Sequence, residues 1–413
     1  MTGPGAPRGQ RTVLFAHPSP DLYGSDRMLV ESVAGVVGRG WDAVVALPED
    51  GPLSAVLVAA GARVAVSPTL VLRKALLSPR GLPRLAARTA RGLVAGVRLL
   101  RAERPGVVYV NTVTVPLWPV LARLAGAGVL VHVHEAEQDL PRVLRVALAA
   151  PLLAAGVVVV NSQATAEVVA GSIGRLRGRL RLVYNGVAGP PAGAVTEPAG
   201  QTPDPLRVVF VGRLSPRKGV DVAVRAVAEL RDRGRAVTLD LVGAVFVGYE
   251  WYEQQLRDLV EALGLTGTVR FPGFTSPVWP AYAAADVAVV PSVATEPFGN
   301  VSVEAQLAQR PVVVARTQGL VETVRDGVTG IVVEPADPGA LADALDRLAA
   351  DWPAAARLAR AARADALDRF SLGRYREAVA DLVDDLAVHR PRAARDRPRP
   401  GTVAAATVGD HRR

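Results

Sequence analysis

Residues Thr295 to Ala305 read TEPFGNVSVEA and follow directly on the apolar run Val287 to Ser292. Val287 to Val290 has the continuous β-branched character of a strand buried on both faces in a parallel sheet. Pro297 and Gly299 forbid an immediate helix, so the helix is expected to start near Asn300, a good N-cap residue. Val301, Val303, Glu304 and Leu307 then recur at helical spacing, and Pro311 closes the segment before the next strand. Glu296 therefore belongs to the loop at the carboxyl end of a strand, and Glu304 to the first or second turn of the helix. Backbone N–H groups at that helix start point outward and favour an anion. A ligand with both hydroxyls and a diphosphate, such as a sugar nucleotide, suits two carboxylates flanking an anion site. The plainer alternative is a pair of solvated charges.

The same strand, loop and helix order extends outward in both directions. Apolar runs at Val13–Ala16, Ala43–Leu47, Arg63–Val66, Val107–Val110, Val129–Val133 and Val157–Val160 alternate with helical patterns. A second series runs through Val208–Val211, Thr238–Val242, Thr268–Phe271, Val287–Val290, Val312–Ala315 and Gly330–Val333. Between them lies GPPAGAVTEPAGQTPDP, a Pro/Gly-rich linker. This patterning predicts an α/β protein of two Rossmann-like, doubly wound domains facing each other across a cleft. The expected divisions are a flexible start (1–11), a first domain (12–188), the linker (189–205) and a second domain (206–370). A helix over 371–389 is expected to return to the first domain, ahead of a disordered basic tail (390–413).

Composition narrows the chemistry. There is no cysteine among the 413 residues, so disulfides, thiolate metal sites and a cysteine nucleophile are excluded. Five histidines, His17, His132, His134, His389 and His411, argue against a histidine-rich metal centre, and none is expected. Arg8 and Arg11 are not followed by the apolar core of a secretory signal, and Val146–Val160 is broken by Pro151 and Gly156. A cytoplasmic protein is therefore expected. The net charge is +9, of which the tail Arg390–Arg413 supplies +5 through seven arginines against Asp396 and Asp410. No aromatic residues interleave those charges, and no nucleic-acid partner is expected. Only two of the 48 basic residues are lysines, Lys74 and Lys218, and an ammonium is not equivalent to a guanidinium at a phosphate.

Lys218 stands in VFVGRLSPRKGVD, residues 209–221, where Gly212 and Arg213 end a strand. Together with EPFGNVSVE this resembles the C-terminal domain of the retaining GT-B glycosyltransferases of family 4, over a body from about Arg11 to Leu386. The resemblance implies that Arg213 and Lys218 bind the donor diphosphate and stabilise the leaving nucleotide in place of a metal. It implies that Glu304 holds the ribose hydroxyls, and that Glu296 serves the donor sugar with Phe298, Gly299, Asn300 and Val301, largely through backbone groups. Phe274, after Pro272 and Gly273, falls where the family binds the base. His134, in VHVHE, matches a histidine that touches the transferring sugar, with His132 expected on the opposite face as a core histidine. Gly24 and Ser25 correspond to the first-loop glycine motif beside the donor phosphate, although one glycine stands where many members have two. Gly243, Asn111, Ser162 and Asn185 read equally well as turn formers.

Helical spacing from Leu82 to Arg104 places Arg84, Arg88, Arg91 and Arg98 on one face. With Arg73, Lys74 and Arg80 they form a basic patch suited to anionic lipid at the inner membrane face or to a phosphorylated acceptor, or simply a solvated face. The expectation is a metal-independent glycosyltransferase with no cofactor beyond its nucleoside diphosphate sugar donor. Its acceptor would be a carbohydrate, a lipid-linked sugar or a small molecule. The rivals are a nucleotide-sugar epimerase on the same fold and an inactive binding subunit. A dinucleotide oxidoreductase is disfavoured because neither first strand leads into G-x-G-x-x-G.

Overall fold

The computed structural model describes residues 11–22, 24–72, 81–135 and 140–388. The basic tail, Arg73, Lys74 and Arg80 lie outside them.

Seven parallel strands form the first sheet: β1 (Thr12–Ala16), β2 (Asp42–Leu47), β3 (Ala62–Val66), β4 (Val107–Val110), β5 (Gly128–Val133), β6 (Val157–Val160) and β7 (Leu180–Leu182). Their order is β3-β2-β1-β4-β5-β6-β7. The second sheet holds β8 (Leu206–Val211), β9 (Val237–Val242), β10 (Val269–Gly273), β11 (Val287–Val290), β12 (Val312–Ala315) and β13 (Ile331–Val333), in the order β10-β9-β8-β11-β12-β13. Both sheets carry hydrophobic clusters on their two faces, which is why their strands are runs of valine, leucine and alanine. β7 was not among the expected strands. Its Leu-Arg-Leu is an edge segment, largely exposed and paired only to β6, so no apolar run marks it.

Strand order reverses between β1 and β4 in one sheet and between β8 and β11 in the other. Ligands of open α/β sheets bind outside the carboxyl ends of strands at such reversals. His17 and Asn111 follow β1 and β4; Gly212 and Pro291 follow β8 and β11.

The chain crosses between the domains twice. Residues 189–205 contain no helix or strand, yet the linker is anchored: Arg310 donates to the Thr196 carbonyl at 2.9 Å and Trp352 Nε1 to that of Ala199 at 2.7 Å. After helices Pro338–Ala350 and Trp352–Arg369 in the second domain, helix Leu372–Val388 crosses back. It buries Tyr375, Val379 and Val383 beside Met28, Leu29 and Val33 of the first helix, Gly24–Gly38. Arg376 pairs with Glu31 at 2.6 Å, and Trp41 Nε1 donates to Asp384 at 2.8 Å. The two crossings touch, because Val187 N–H donates to the Phe370 carbonyl at 2.9 Å.

Candidate functional site

In the second domain the two charged motifs are held together by backbone. Lys218 ends the short turn Pro216–Lys218, and Gly219 follows at φ +64°. A Cβ on Gly219 would fall 1.9 Å from the Pro291 carbonyl oxygen, so only glycine lets this turn lie on the end of β11. The Arg217 carbonyl accepts from Val293 N–H at 3.0 Å, and the Arg217 guanidinium donates to the Thr295 carbonyl at 2.9 Å. Lys218 Nζ thereby meets the Glu296 carboxylate in an ion pair, which also receives the Ser292 hydroxyl at 3.3 Å. Arg213 follows the end of β8 as an exposed residue, its guanidinium 3.2 Å from the centroid of the Phe246 ring. Gly212, beside it, donates to the Val242 carbonyl at 2.9 Å and continues the pairing of β8 with β9.

The helix Asn300–Leu307 starts as expected, but its cap differs. Gly299 is the N-cap residue, in the left-handed region at φ 92° and ψ 57°, and Asn300 is already helical. A Cβ on Gly299 would sit 2.3 Å from Leu320, so the turn after Pro297 and Phe298 admits only glycine at that point. Released from capping, the Asn300 side chain accepts a hydrogen bond from Asn185 of the first domain at 3.0 Å. Asn185 therefore bridges the domains. Among the described residues no side chain caps the N–H groups of this helix start. The Phe298 ring is buried against Tyr184 and Phe370, at centroid distances of 5.9 and 5.5 Å, so only its backbone faces the cleft side. Val301 is partly buried in the core, and its carbonyl accepts from Tyr282 Oη at 3.2 Å.

Glu304, on the second turn, lines an interdomain cavity of about 340 Å³ with Asn300, Ser276 and Trp279 of its own domain and Arg27 and Met28 of the other. Burial raises its carboxyl to about 7, against the lowering influence of Arg27 and of the Tyr282 hydroxyl. Phe274 is 73% exposed and lies outside that lining.

From the first domain Arg27 and Glu31 line the same cavity, and a set of polar groups gathers at the strand ends. Gly24 opens the first helix at the cleft, and a Cβ there would lie 3.8 Å from the Asn300 amide. The Ser25 hydroxyl turns inward to Asp26 at 3.1 Å. His17 is fully buried, its Nε2 2.8 Å from Asp26 and its Nδ1 3.1 Å from the Asn111 amide. Asn111 Oδ1 lies 3.0 Å from His134 Nε2. Burial holds His134 down at about 3, with His17 adding to the shift and Asp26 opposing it. The Glu135 carboxylate accepts the His134 N–H at 3.0 Å and binds the Thr112 hydroxyl, joining the ends of β4 and β5.

His132 does not point away from His134. Strand side chains repeat every two residues, so both occupy one face, and their rings lie 3.9 Å apart. His132 is wholly buried, with Nδ1 2.6 Å from Tyr109 Oη, and its Nε2 has no hydrogen-bond partner. Burial lowers its basicity well below the usual imidazole range. Ser162 is a helix cap, accepting from Thr165 N–H at 3.0 Å. The residues that sequence reasoning left out of the site are His17, Asp26 and Asn111. The alternation along β1, β4 and β5 carries their signal, since Phe15 and His17, Tyr109 and Asn111, and His132 and His134 each share a face.

Family models match both halves of the chain: one described as Glycosyltransferase Family 4 over residues 23–188, and one described as Glycosyl transferases group 1 over residues 196–365. The D-inositol 3-phosphate glycosyltransferase of Salinispora tropica is 42% identical over 192 residues, or 45% of this chain and 39% of that protein. The chain thus spans about two fifths of that relative's length. Among solved structures, Anabaena HepE with bound UDP superposes with a TM-score of 0.75 at 25% identity, covering 91% of this chain and 100% of that one. Its UDP-glucose complex matches equally well, at 25% identity and a TM-score of 0.75 over 91% and 99% of the two chains. The sucrose-phosphate synthase of Thermosynechococcus elongatus shares the fold at 22% identity and a TM-score of 0.72, over 92% of this chain and 99% of that one.

Proposed function

The chain belongs to the group 1, family 4 glycosyltransferases, and from that premise we propose that it moves a sugar from a nucleoside diphosphate sugar to an acceptor, with retention of configuration and without a metal ion. The observation that carries this reading is the pairing of Lys218 with Glu296 at the loop that leads into helix Asn300–Leu307, whose Asn300 and Glu304 line a cavity between the domains. The likeness to HepE bound to UDP and to UDP-glucose supports a nucleoside diphosphate sugar as donor.

Each group has a physical task. Arg213 and Lys218 neutralise the charge that grows on the departing diphosphate, a task for which a fixed cation serves as well as a metal. The N–H groups of Asn300 and Val301 add donors for the same anion. Lys218 exchanges Glu296 for a phosphate oxygen when donor enters, and Glu296 then accepts from sugar hydroxyls. Glu304 accepts from the ribose, and Ser276 to Trp279 wall the base. Gly24 leaves the cleft open beside the phosphates.

Retention follows from attack on the same face that the leaving group quits. The anomeric carbon–oxygen bond to the phosphate breaks, the acceptor oxygen bonds to that carbon, and the acceptor proton passes to the departing phosphate oxygen. Among the described residues the buried His17–Asp26 pair is the one His–carboxylate couple, and both His17 nitrogens are engaged. It offers no free base for attack from the opposite face. Incubation of the protein with UDP-, GDP- and ADP-sugars and candidate acceptors tests the proposal. Loss of transfer in Lys218→Ala and Glu304→Ala is expected; near wild-type turnover in both sinks it. An altered sugar nucleotide released without acceptor would reassign the protein as an epimerase.

The acceptor side carries the basic helix Leu82–Glu103. Arg84, Arg88, Arg91 and Arg98 are exposed opposite the buried Gly92, Gly96 and Leu100, and we extend the proposal to contact of this face with an anionic acceptor or lipid. No helix among the described residues is long and apolar enough to cross a membrane.

A further inference from the structure

The groups His17, Asp26, Asn111 and His134 come from three adjacent strand ends and the first helix, and their hydrogen bonds admit one pattern of protons. Asn111 Nδ2 lies 3.1 Å from the Ser25 carbonyl oxygen, which can only accept. That fixes the amide: its nitrogen faces Ser25 and its oxygen faces His134. The second hydrogen on Nδ2 points to His17 Nδ1 at 3.1 Å, so that nitrogen carries a lone pair. The proton of neutral His17 must then sit on Nε2, where it is donated to the Asp26 carboxylate at 2.8 Å. On the other side Asn111 Oδ1 can only accept, so His134 Nε2, 3.0 Å away, carries a proton. A neutral His134 is left with its lone pair on Nδ1.

We propose that Asn111, braced by His17 and Asp26, is a positioning residue that locks His134 as the Nε2–H tautomer and turns Nδ1 toward the transferred sugar as a hydrogen-bond acceptor. This rests on the glycosyl-transfer reading, which gives His134 a sugar to meet. His134 then receives a hydroxyl proton in a hydrogen bond and neither gives nor takes one, which suits a reaction whose proton leaves with the phosphate. The groups facing the ring keep it neutral: His132 stacks on it from its own strand, His17 lies beyond Asn111, and Asp26 is already committed to His17. The Glu135 carboxylate is spent on the His134 N–H and on Thr112. The second hydrogen bond to Ser25 ties the same amide to the helix start that carries Gly24. Asn111 thus sets the ring and that helix start together.

Selective ¹⁵N labelling of the histidines in the full chain reads the tautomers directly, because there are only five and single His→Gln variants assign them. His134 is expected as Nε2–H from pH 5.5 to 8.5; an Nδ1–H or imidazolium His134 anywhere in that range overturns the proposal. Kinetics provide the second readout. Asn111→Ala should lower kcat by about 10- to 100-fold and leave the donor KM within about twofold. Asn111→Asp cannot donate to Ser25 or His17 and draws His134 toward imidazolium, so its pH–rate profile should gain an ionisation near neutrality. Wild-type kcat in Asn111→Ala, or a wild-type profile in Asn111→Asp, overturns the role. If the wild type transfers no sugar at all, glycosyl transfer fails as the function while the ring spectra still decide the tautomers.

Discussion

The charged motifs of the second domain and the strand-end groups of the first are built from opposite materials. The second domain carries Arg213, Lys218, Glu296 and Glu304, of which Glu304 lines the cavity and Lys218 pairs with Glu296 in a partly exposed contact. The first domain adds Arg27 and Glu31 to the cavity lining, but at its strand ends His17, Asn111 and His134 form one hydrogen-bonded set, with the Asp26 carboxylate buried behind them. The difference matches what each must do. In the proposed transfer, charges handed to a diphosphate must be able to change partners, and a pair whose side chains keep 27% and 16% exposure is still open to an entering ligand. Groups that orient a sugar must keep one geometry, and a buried network without spare donors does that.

The hardest blow to this contrast is Lys218→Ala, which takes a cation from the charged wall. It should lower kcat/KM by about 10²–10³, or ~3–4 kcal/mol of transition-state stabilisation. Because the ion pair is partly exposed, the melting temperature should move little in the same variant. A large loss of stability with unchanged turnover would show that the pair belongs to the scaffold.

Glu304 sharpens the contrast through pH. Its carboxyl is raised to about 7, so the charged acceptor form is depleted below neutrality. Donor affinity should fall by about tenfold from pH 8 to pH 6 in isothermal titration, and the fall should vanish in Glu304→Gln at a uniformly lower affinity. Stability moves the other way. A carboxyl whose folded value lies above its unfolded one stabilises the fold when protonated, and that stabilisation is lost as pH rises from about 4.5 through 7. Glu304→Gln should therefore melt about 2–5 °C higher than wild type at pH 8 and nearly equally at pH 5.

The contact between the walls is the next test. Glu322 of the second domain accepts from the N–H groups of Gln163 and Ala164, at 2.8 and 3.0 Å, at the start of helix Gln163–Ser172 in the first. Removing it in Glu322→Ala should loosen the approach of the walls, enlarge the radius of gyration in solution scattering and raise the donor KM by about two- to fivefold, roughly 1 kcal/mol. The smallest catalytic effect belongs to the basic helix. Reversing charge at Arg84, Arg88 and Arg91 should abolish sedimentation with phosphatidylglycerol vesicles while transfer to a water-soluble acceptor stays within about twofold.

Most of the framework was legible in the sequence because a strand buried on both faces can hardly be written except as Val, Leu and Ala. β7 escaped because an exposed edge has no such constraint. The charged wall was legible for a related reason: lysine is so rare in this chain that its position stands out. Three features were not. The N-cap belongs to Gly299 because a left-handed turn outranks the capping preference of Asn300, a demand visible only once Leu320 is in place. His132 shares a face with His134 by the strand repeat itself. The hydrogen-bonded join of His17, Asp26 and Asn111 to His134 went unread because the four are far apart in the chain, and single polar residues at strand ends look like turn formers until neighbouring strands are set side by side.

The double crossing between the halves bears on how such proteins are recombined. The final helix, Leu372–Val388, completes the core of the first domain although it follows the whole of the second, and its Tyr375 hydroxyl lies 2.7 Å from Ser32. A hybrid that exchanges donor halves between relatives with one junction in the linker would mate this helix to a foreign partner. Grafts that keep the acceptor half intact need two seams, one within 189–195 and one close to Phe370, where Val187 and Phe370 already bring the cut ends together. On the proposed function, exchange of donor preference is then a cassette operation on the intervening segment, with the native last helix retained.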